Sequence, residues 1–524
     1  MGTGFGKLDE RTPVLIAVGT AHHRVSPESS QPAGTDEIDA LAMMELAARS
    51  ALSQAVPASR LSQLLRNISL VAVPEGDWKY ANPARSVAAR LGCESARTVR
   101  VEIGVPQHAP IRAALLGIQS GQMQAALIVG GEAKATQLSI ERAGGIAPGS
   151  SPVGTGLDGT GLDGAWFDGT GLDGAAPDER WTPEGEIMAE AEIAAGIWSA
   201  VEQYACIDAA LRYSEGQSVP DHLDSIASLW QQFNQVASLN ADAAFGTPRS
   251  AEFLRVAGPG NRPLAFPYAK WHSTQWAVDQ AAAMVLCSVG LARELGVPTD
   301  QLVFPRVALE SSLSVSLTKR AEMGRWPAMK VLGDAAAAHL QQPLSQVKYA
   351  EVYSCFPAAV RVQQRELGLA QDQAPTLIGG MAFAGGPFNN FTYQATAAMV
   401  DQLRQDPGSL GLVTTVSGLL TKPALAVWST EPGEVLIADL GAQAAAATAV
   451  REVTNQGSGL ASIASYTVTY AGTDPSSAFV IADLADGRRW IGTSTDSDLL
   501  SEGVTAELIG RQVIVTGSSC EFAD

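Results

Sequence analysis

The sequence contains no CxxC pair. Its five cysteines, Cys93, Cys206, Cys287, Cys355 and Cys520, stand far apart among 524 residues. That spacing excludes a structural zinc site of the usual kind and argues against a disulfide framework; it fits a reducing compartment. No charged-then-apolar signal segment opens the chain, and no uninterrupted apolar run is long enough to cross a bilayer. The cytoplasm is the expected location, with no membrane insertion. Aromatic residues make up only 6%. Lys and Arg are outnumbered by Asp and Glu, 35 to 54, for a net charge of −19. Such an excess argues against a general nucleic-acid or anionic-membrane binder, while leaving room for a local basic pocket. No metal is expected.

What is present is a large core. The chain is 46% hydrophobic, and at this length two or more domains are expected. The run Val14 to Gly19 reads as a buried strand. Thr35, Asp36 and Glu37 make a helix start, followed by Ile38, Leu41, Met44, Ala48 and Leu52 on one apolar face. Strands at 68–73, 99–103 and 125–129 then alternate with helices at 83–91 and 108–120. Alternation of this kind predicts an α/β layered domain with a mainly parallel sheet.

The pattern breaks near Ala135. Residues 135–265 are acidic and poorly periodic, and 154–173 carry a Gly-Thr-Gly-Leu-Asp repeat. Its spacing matches neither the nonapeptide calcium repeat nor an EF-hand loop, so a mobile surface insertion is expected. Apolar helical stretches at 186–204 and 223–237 are expected to pack over the sheet. The α/β pattern resumes at Phe266, with strands at 281–287 and 303–309 and a helix between them capped by Ser288 and ended by Gly296. A second round follows: helix 328–340, strand 349–353, helix 357–367, an extended glycine-rich stretch at 377–384, helix 393–403, and strands 410–417 and 424–429.

After Pro432 the character changes. An Ala-rich connector at 435–455 leads to short alternating strands at 462–470, 478–484, 488–493 and 511–516, with a short helix at 502–509. This predicts a small all-β module, with an oligonucleotide/oligosaccharide-binding (OB-like) barrel as the leading form. Residues 458–524 hold nine acidic and three basic residues, which disfavours a nucleic-acid role for the barrel. The expected organisation is a first half at 1–134 and 266–310, an insertion at 135–265, a second half at 311–434, and a linker and barrel at 435–524.

One corner carries reactive groups. Glu351-Val352-Tyr353-Ser354-Cys355-Phe356-Pro357 runs from strand directly into helix. A helix N-terminus there is expected to favour the Cys355 thiolate, although cysteine is also a common small core residue. Gly385, Gly386, Pro387 and Asn390 are expected to shape a loop close to ligand, where glycine lets backbone approach.

Two similar α/β halves, a long insertion after the fourth strand and a glycine-rich loop late in the second half resemble the thiolase superfamily. The resemblance covers roughly residues 12–432 and rests on Glu351 to Phe356, Gly379-Gly380-Met381 through Gly385-Gly386-Pro387, and Thr414-Thr415-Val416-Ser417-Gly418. It looks closest to the sterol-carrier-protein type and its thiolase-like relatives. The resemblance implies acyltransferase chemistry on acyl-CoA thioesters in lipid metabolism, with CoA or acyl-CoA as ligand and no other cofactor. It also implies a homodimer, with a monomer as the alternative given the extra domain.

The family's machinery is carried over only in part. Thioester exchange uses a thiolate nucleophile, and Claisen chemistry also needs a base and preplaced oxyanion donors. Gly104-Val105-Pro106-Gln107 holds no cysteine where the nucleophile should stand, and the nearest candidate is His108, as base or oxyanion donor. Tyr353 matches the family's Asn or His, and Cys355 matches its acid/base Cys. Gly386 stands for the His of Gly-His-Pro, and Val416, beside Gly418, for the Cys of Cys-x-Gly. The catalytic candidates are therefore Cys355, Tyr353 and His108; Gly385, Gly386, Pro387, Asn390 and Gly418 are the ligand-binding candidates. Altered thiolase chemistry is expected. The alternatives are a retro-aldol lyase acting on a β-hydroxyacyl-CoA and a non-catalytic CoA-binding scaffold.

Overall fold

The computed structural model describes residues 8–24, 38–144, 147 and 176–523. The repeat at 154–173 and the helix start at 35–37 lie outside these residues. The first described helix, Ala40–Ala55, begins later than expected, because Asp39 caps it by accepting the Ala42 N–H at 2.7 Å.

The first half supplies β1 (Pro13–His23), β2 (Ile68–Pro74), β3 (Arg97–Val101) and β4 (Ala125–Ala133). The inserted segment adds β5 (Glu179–Trp181) and, just before the half resumes, β6 (Pro263–Ala265) and β7 (Tyr268–Ala269). The last strand of this half is β8 (Asp279–Ser288). The sheet order is β1-β8-β4-β2-β3-β5. β8 is antiparallel to both neighbours, while β4, β2, β3 and β5 run parallel. Every residue of β8 is buried, as expected for an apolar strand covered on both faces.

The second half forms another sheet from β9 (Phe304–Glu310), β10 (Tyr349–Glu351), β11 (Leu410–Ser417), β12 (Lys422–Ser429) and β13 (Leu436–Asp439). Its order, β10-β11-β12-β9, repeats β2-β4-β8-β1 with the same strand directions. This shared order is the duplication expected from the sequence. β13 lies in the expected connector and extends the sheet beyond β9.

Helices Ala109–Gln119 and Phe391–Gln405 contact both sheets and form the middle layer. Helices Ala40–Ala55 and Pro327–Leu340 cover the outer faces. The stretch expected to be extended at 377–384 contains a helical turn, Gly380–Phe383, entered through Gly379 and Gly380 at positive φ.

The C-terminal unit contains β14 (Val453–Thr454), β15 (Gly457–Ala471), β16 (Asp474–Leu484), β17 (Arg489–Ser494), β18 (Gln512–Gly517) and β19 (Ser519–Phe522). Pairings run β15-β16-β17-β19-β18 and back to β15, so five strands close a barrel. Its helix falls at Ser497–Gly503, earlier than expected, because Asp496 caps it from the N–H groups of Asp498 and Leu499. The barrel is fixed to helix Ala200–Ser214. Ser465 donates to the Cys206 carbonyl at 2.6 Å, and Arg212 pairs with Glu507 and the Tyr466 hydroxyl. β6 joins β15 through Ala265 and Thr469, so Phe266 begins a barrel contact and sheet one resumes only at Asp279. Among the described residues, no helix is long and apolar enough to cross a membrane.

Candidate active site

The strand-to-helix corner is held rigidly. The Tyr353 N–H donates to Thr414 Oγ1 at 3.0 Å, and Gln363 Nε2 donates to the Tyr353 carbonyl at 2.8 Å. Thr414 in turn donates to Gln363 Oε1 at 2.6 Å. Pro357 opens helix Pro357–Leu367, a position where its missing N–H costs nothing. Glu351 accepts from Thr376 and from the Leu377 and Ile378 N–H groups. Burial still pushes its carboxyl up to about 7.

Tyr353 meets the first half directly. Gln107 Nε2 donates to its hydroxyl at 3.2 Å, and its ring stands edge-on to Phe391. Gln107 Oε1 accepts from Thr392 at 2.9 Å, its N–H donates to Ser417 Oγ at 3.1 Å, and its carbonyl accepts from Tyr393 at 2.8 Å. Gln107 thus ties the loop before helix Ala109–Gln119 to the second half. Burial raises the Tyr353 hydroxyl well above its usual pKa, and neighbouring Cys355 adds to the shift.

Cys355 is not an activated thiol. Burial pushes it up to about 12, outweighing the Tyr204 hydroxyl and the backbone N–H groups beside it. The expected helix-terminus effect is therefore overridden by desolvation. Phe356 stacks on Tyr204 at 4.6 Å, and Tyr268 packs on the same residue. The inserted segment thus closes over the corner, where Tyr353 and Cys355 are each 8% exposed. Arg361, on the corner's helix, donates to His222 Nδ1 at 2.8 Å. His222 Nδ1 also lies 2.9 Å from Gln217 Oε1, and its Nε2 lies 2.7 Å from Asp208 Oδ2.

His108 lies at the start of its helix but faces elsewhere. Its Nδ1 is 3.7 Å from Glu310 Oε2, and Arg112 donates to Glu310 Oε1 at 2.6 Å. Burial raises the Glu310 carboxyl, but His108 and Arg112 together hold it below the usual range. No hydrogen bond among the described residues joins His108 to Tyr353 or Cys355.

The glycine positions are filled by protein. A Cβ on Gly385 would stand 2.5 Å from Gln280 Oε1, and one on Gly386 2.2 Å from Thr274 Cγ2. Both glycines are closely packed against these side chains. Pro387 precedes the short turn Phe388–Asn390. With its amide turned, Asn390 donates to the Gly130 carbonyl at 3.1 Å and accepts from the Ala282 N–H at 3.3 Å, bridging to sheet one. Gly418, at φ 76°, sits beneath Ile187 and against Thr421.

Sequence reasoning passed over two residues. Gln107 appeared only as part of a loop lacking cysteine. Lys422, fully buried, donates to the Gly104 carbonyl at 2.8 Å. A lysine opening an otherwise apolar strand was the available signal. Among the described residues, no group of His, Cys, Asp and Glu is placed to hold a metal.

No protein-family model and no curated protein matches the sequence. Solved structures do match. A monomeric SCP2-thiolase-like protein type 1 from Mycobacterium smegmatis is 27% identical, with a TM-score of 0.78 over 98% of this chain and 99% of its own. The chain is a thiolase-superfamily protein related to the SCP2-thiolase-like proteins. Two further likenesses show the fold alone. An Ltp2–ChsH2(DUF35) aldolase is 14% identical, with a TM-score of 0.56 over 80% of this chain and 98% of its own. The Acat5 thiolase of Ascaris suum, solved with coenzyme A, is 12% identical, with a TM-score of 0.53 over 80% of this chain and 99% of its own. Against the SCP2-thiolase-like relative the alignment spans nearly the whole chain. The C-terminal barrel is thus part of what the thiolase-like chain shares with it.

Proposed function

We propose that the chain binds acyl-CoA thioesters without forming an acyl enzyme. The observation that carries this reading is the Gln107–Tyr353 hydrogen bond. An amide, which cannot act as a nucleophile, stands beside the expected nucleophile position, and its polar groups are engaged. Cys355 does not substitute for the missing thiolate, because a thiol raised to about 12 stays protonated at neutral pH. The CoA bound by the Acat5 thiolase supports the choice of ligand. On this reading the protein belongs to acyl-CoA and lipid metabolism with altered thiolase chemistry. The test pairs calorimetry using CoA and acetyl-CoA with intact-mass measurement after incubation with acetoacetyl-CoA. Binding heat without an acyl adduct is expected; a stable adduct, or no heat at millimolar ligand, would overturn the proposal.

Tyr353 favours a second reading, aldol chemistry on a β-hydroxyacyl-CoA, and the aldolase likeness lends it support. A phenol kept protonated can give its proton to a forming alkoxide. Taking a proton from a hydroxyl needs the phenolate, which burial opposes. Release of a carbonyl product from a β-hydroxyacyl-CoA, lost in Tyr353→Phe, would establish this chemistry.

The C-terminal barrel is read as an OB-type barrel, since its helix lies between the third and fourth of its five strands. For assembly, the favoured reading is a monomer. β5 covers the outer edge of β3, reinforced by ion pairs Arg97–Glu179 and Arg180–Glu102. β3 is thus unavailable to a second chain, and the edge left beyond it, β5, is only three residues long.

A further inference from the structure

Trp271 carries two cations. Arg249, in the loop after helix Val219–Leu239, sets its guanidinium on the indole, 3.7 Å from the ring centroid. Lys270, which follows β7, holds its ammonium 4.9 Å from the same centroid. The two charges are therefore no farther apart than these distances laid end to end. The ring itself is buried and fixed. Its Nε1 donates to the Gly260 carbonyl at 2.9 Å, the Trp271 backbone N–H donates to Asn261 Oδ1 at 3.1 Å, and the indole packs on Phe245 and Phe383.

Neither cation forms an ion pair among the described residues, although the chain carries a net charge of −19. Arg249 uses one N–H on the Thr247 carbonyl at 2.7 Å; burial lowers its pKa, and no acidic neighbour opposes the shift. Among the described residues the Lys270 ammonium makes no hydrogen bond. Exposed Arg262 adjoins them, its carbonyl accepting from the Lys270 N–H at 2.9 Å, and it too forms no ion pair there. Arg255, by contrast, is paired with Asp224. Arg249 and Lys270 are both partly accessible. Like charges held on one ring repel, and a shared anion relieves that repulsion. A guanidinium fork takes two oxygens of one group, while an ammonium acts as a point charge. A single carboxylate serves one of these; a diphosphate serves both.

We propose that Arg249 and Lys270 form a site for a diphosphate, taken up free or as part of CoA. The Arg249 fork holds one phosphoryl group and the Lys270 ammonium the other. The same segment leads on to the strand-to-helix corner, where the Thr274 N–H donates to the Cys355 carbonyl at 3.1 Å. The CoA form rests on the acyl-CoA reading; the site itself does not.

Calorimetry of the full chain with inorganic pyrophosphate, in metal-free buffer, tests the site. A Kd of about 1 mM is expected, weakening as salt rises from about 20 to about 200 mM. Arg249→Gln and Lys270→Gln should each weaken binding about tenfold, with near-native melting curves. Arg60→Gln, on helix Ala58–Asn67, where Arg60 meets Gln63, should change nothing. No heat at about 10 mM pyrophosphate, or equal affinity in all three variants, would overturn the proposal. A CoA titration separates the sources. CoA binding weakened by the same two substitutions assigns the diphosphate to CoA. Unchanged CoA binding beside weakened pyrophosphate binding assigns it to a separate phosphorylated ligand. Pyrophosphate heat without CoA heat supports this site and counts against the acyl-CoA reading.

Discussion

Gln107 and Tyr353, from opposite halves of a duplicated fold, share a 3.2 Å hydrogen bond in the interior. The link joins two neutral side chains. Gln107→Leu would strand the Tyr353 hydroxyl and leave the Thr392 hydroxyl with Thr415 alone. It should destabilise the protein by about 1–3 kcal/mol, measured by urea unfolding. Tyr353→Phe should cost less, and the double variant should cost less than the sum.

All five cysteines are free and buried. Native protein should therefore react with less than one equivalent of Ellman's reagent over minutes at pH 8. Five equivalents should react after denaturation, matching the five cysteines of the sequence. Fast labelling of Cys355 in the native protein, located by peptide mapping, would contradict its closed environment.

Stability should fall as pH rises towards 8. Burial, with Asp77 adding to it, pushes Glu132 up to about 8. Between the ordinary carboxyl pKa and 8, the unfolded chain releases this proton while the folded chain keeps it. The stability this group adds is therefore fully present below the ordinary pKa and is lost as pH climbs, at up to about 1.4 kcal/mol per unit. Glu132→Gln should flatten this part of the curve, followed by melting temperature from pH 5 to 9.

Arg212 is buried and holds the barrel through Glu507 and Tyr466. Arg212→Ala should cost about 2–3 kcal/mol and raise protease cleavage near the connector at 435–455. Unchanged protease resistance would show that the barrel is held by other contacts alone.

Much of the fold was legible because its signals are local. The helix at 83–91 falls where the sequence placed it, and Ser288 and Gly296 bracket another, as read from the sequence. The duplication into two similar halves followed from alternation of strand and helix. β5 and β13 were missed because each is short and paired with a distant strand, and β19 because it is a four-residue strand turned straight back onto β18. The corner was legible as a corner, but its chemistry was not. The pKa of Cys355 is set by burial, and the aromatic cover comes from Tyr204 and Tyr268, far away in the chain. His108 was drawn to the site by its place in the sequence, yet its partner is Glu310.

The strand β5 has a thermodynamic corollary. By pairing with β3 it satisfies an edge from within the same polypeptide. On the proposed monomer, unfolding carries no association term, so the melting midpoint should not move with dilution. A dimer held through that edge would melt lower as it is diluted. Trp181→Pro, which removes an N–H on the side of β5 that pairs with β3, where the Trp181 carbonyl accepts from the Glu102 N–H, should make the midpoint begin to depend on concentration.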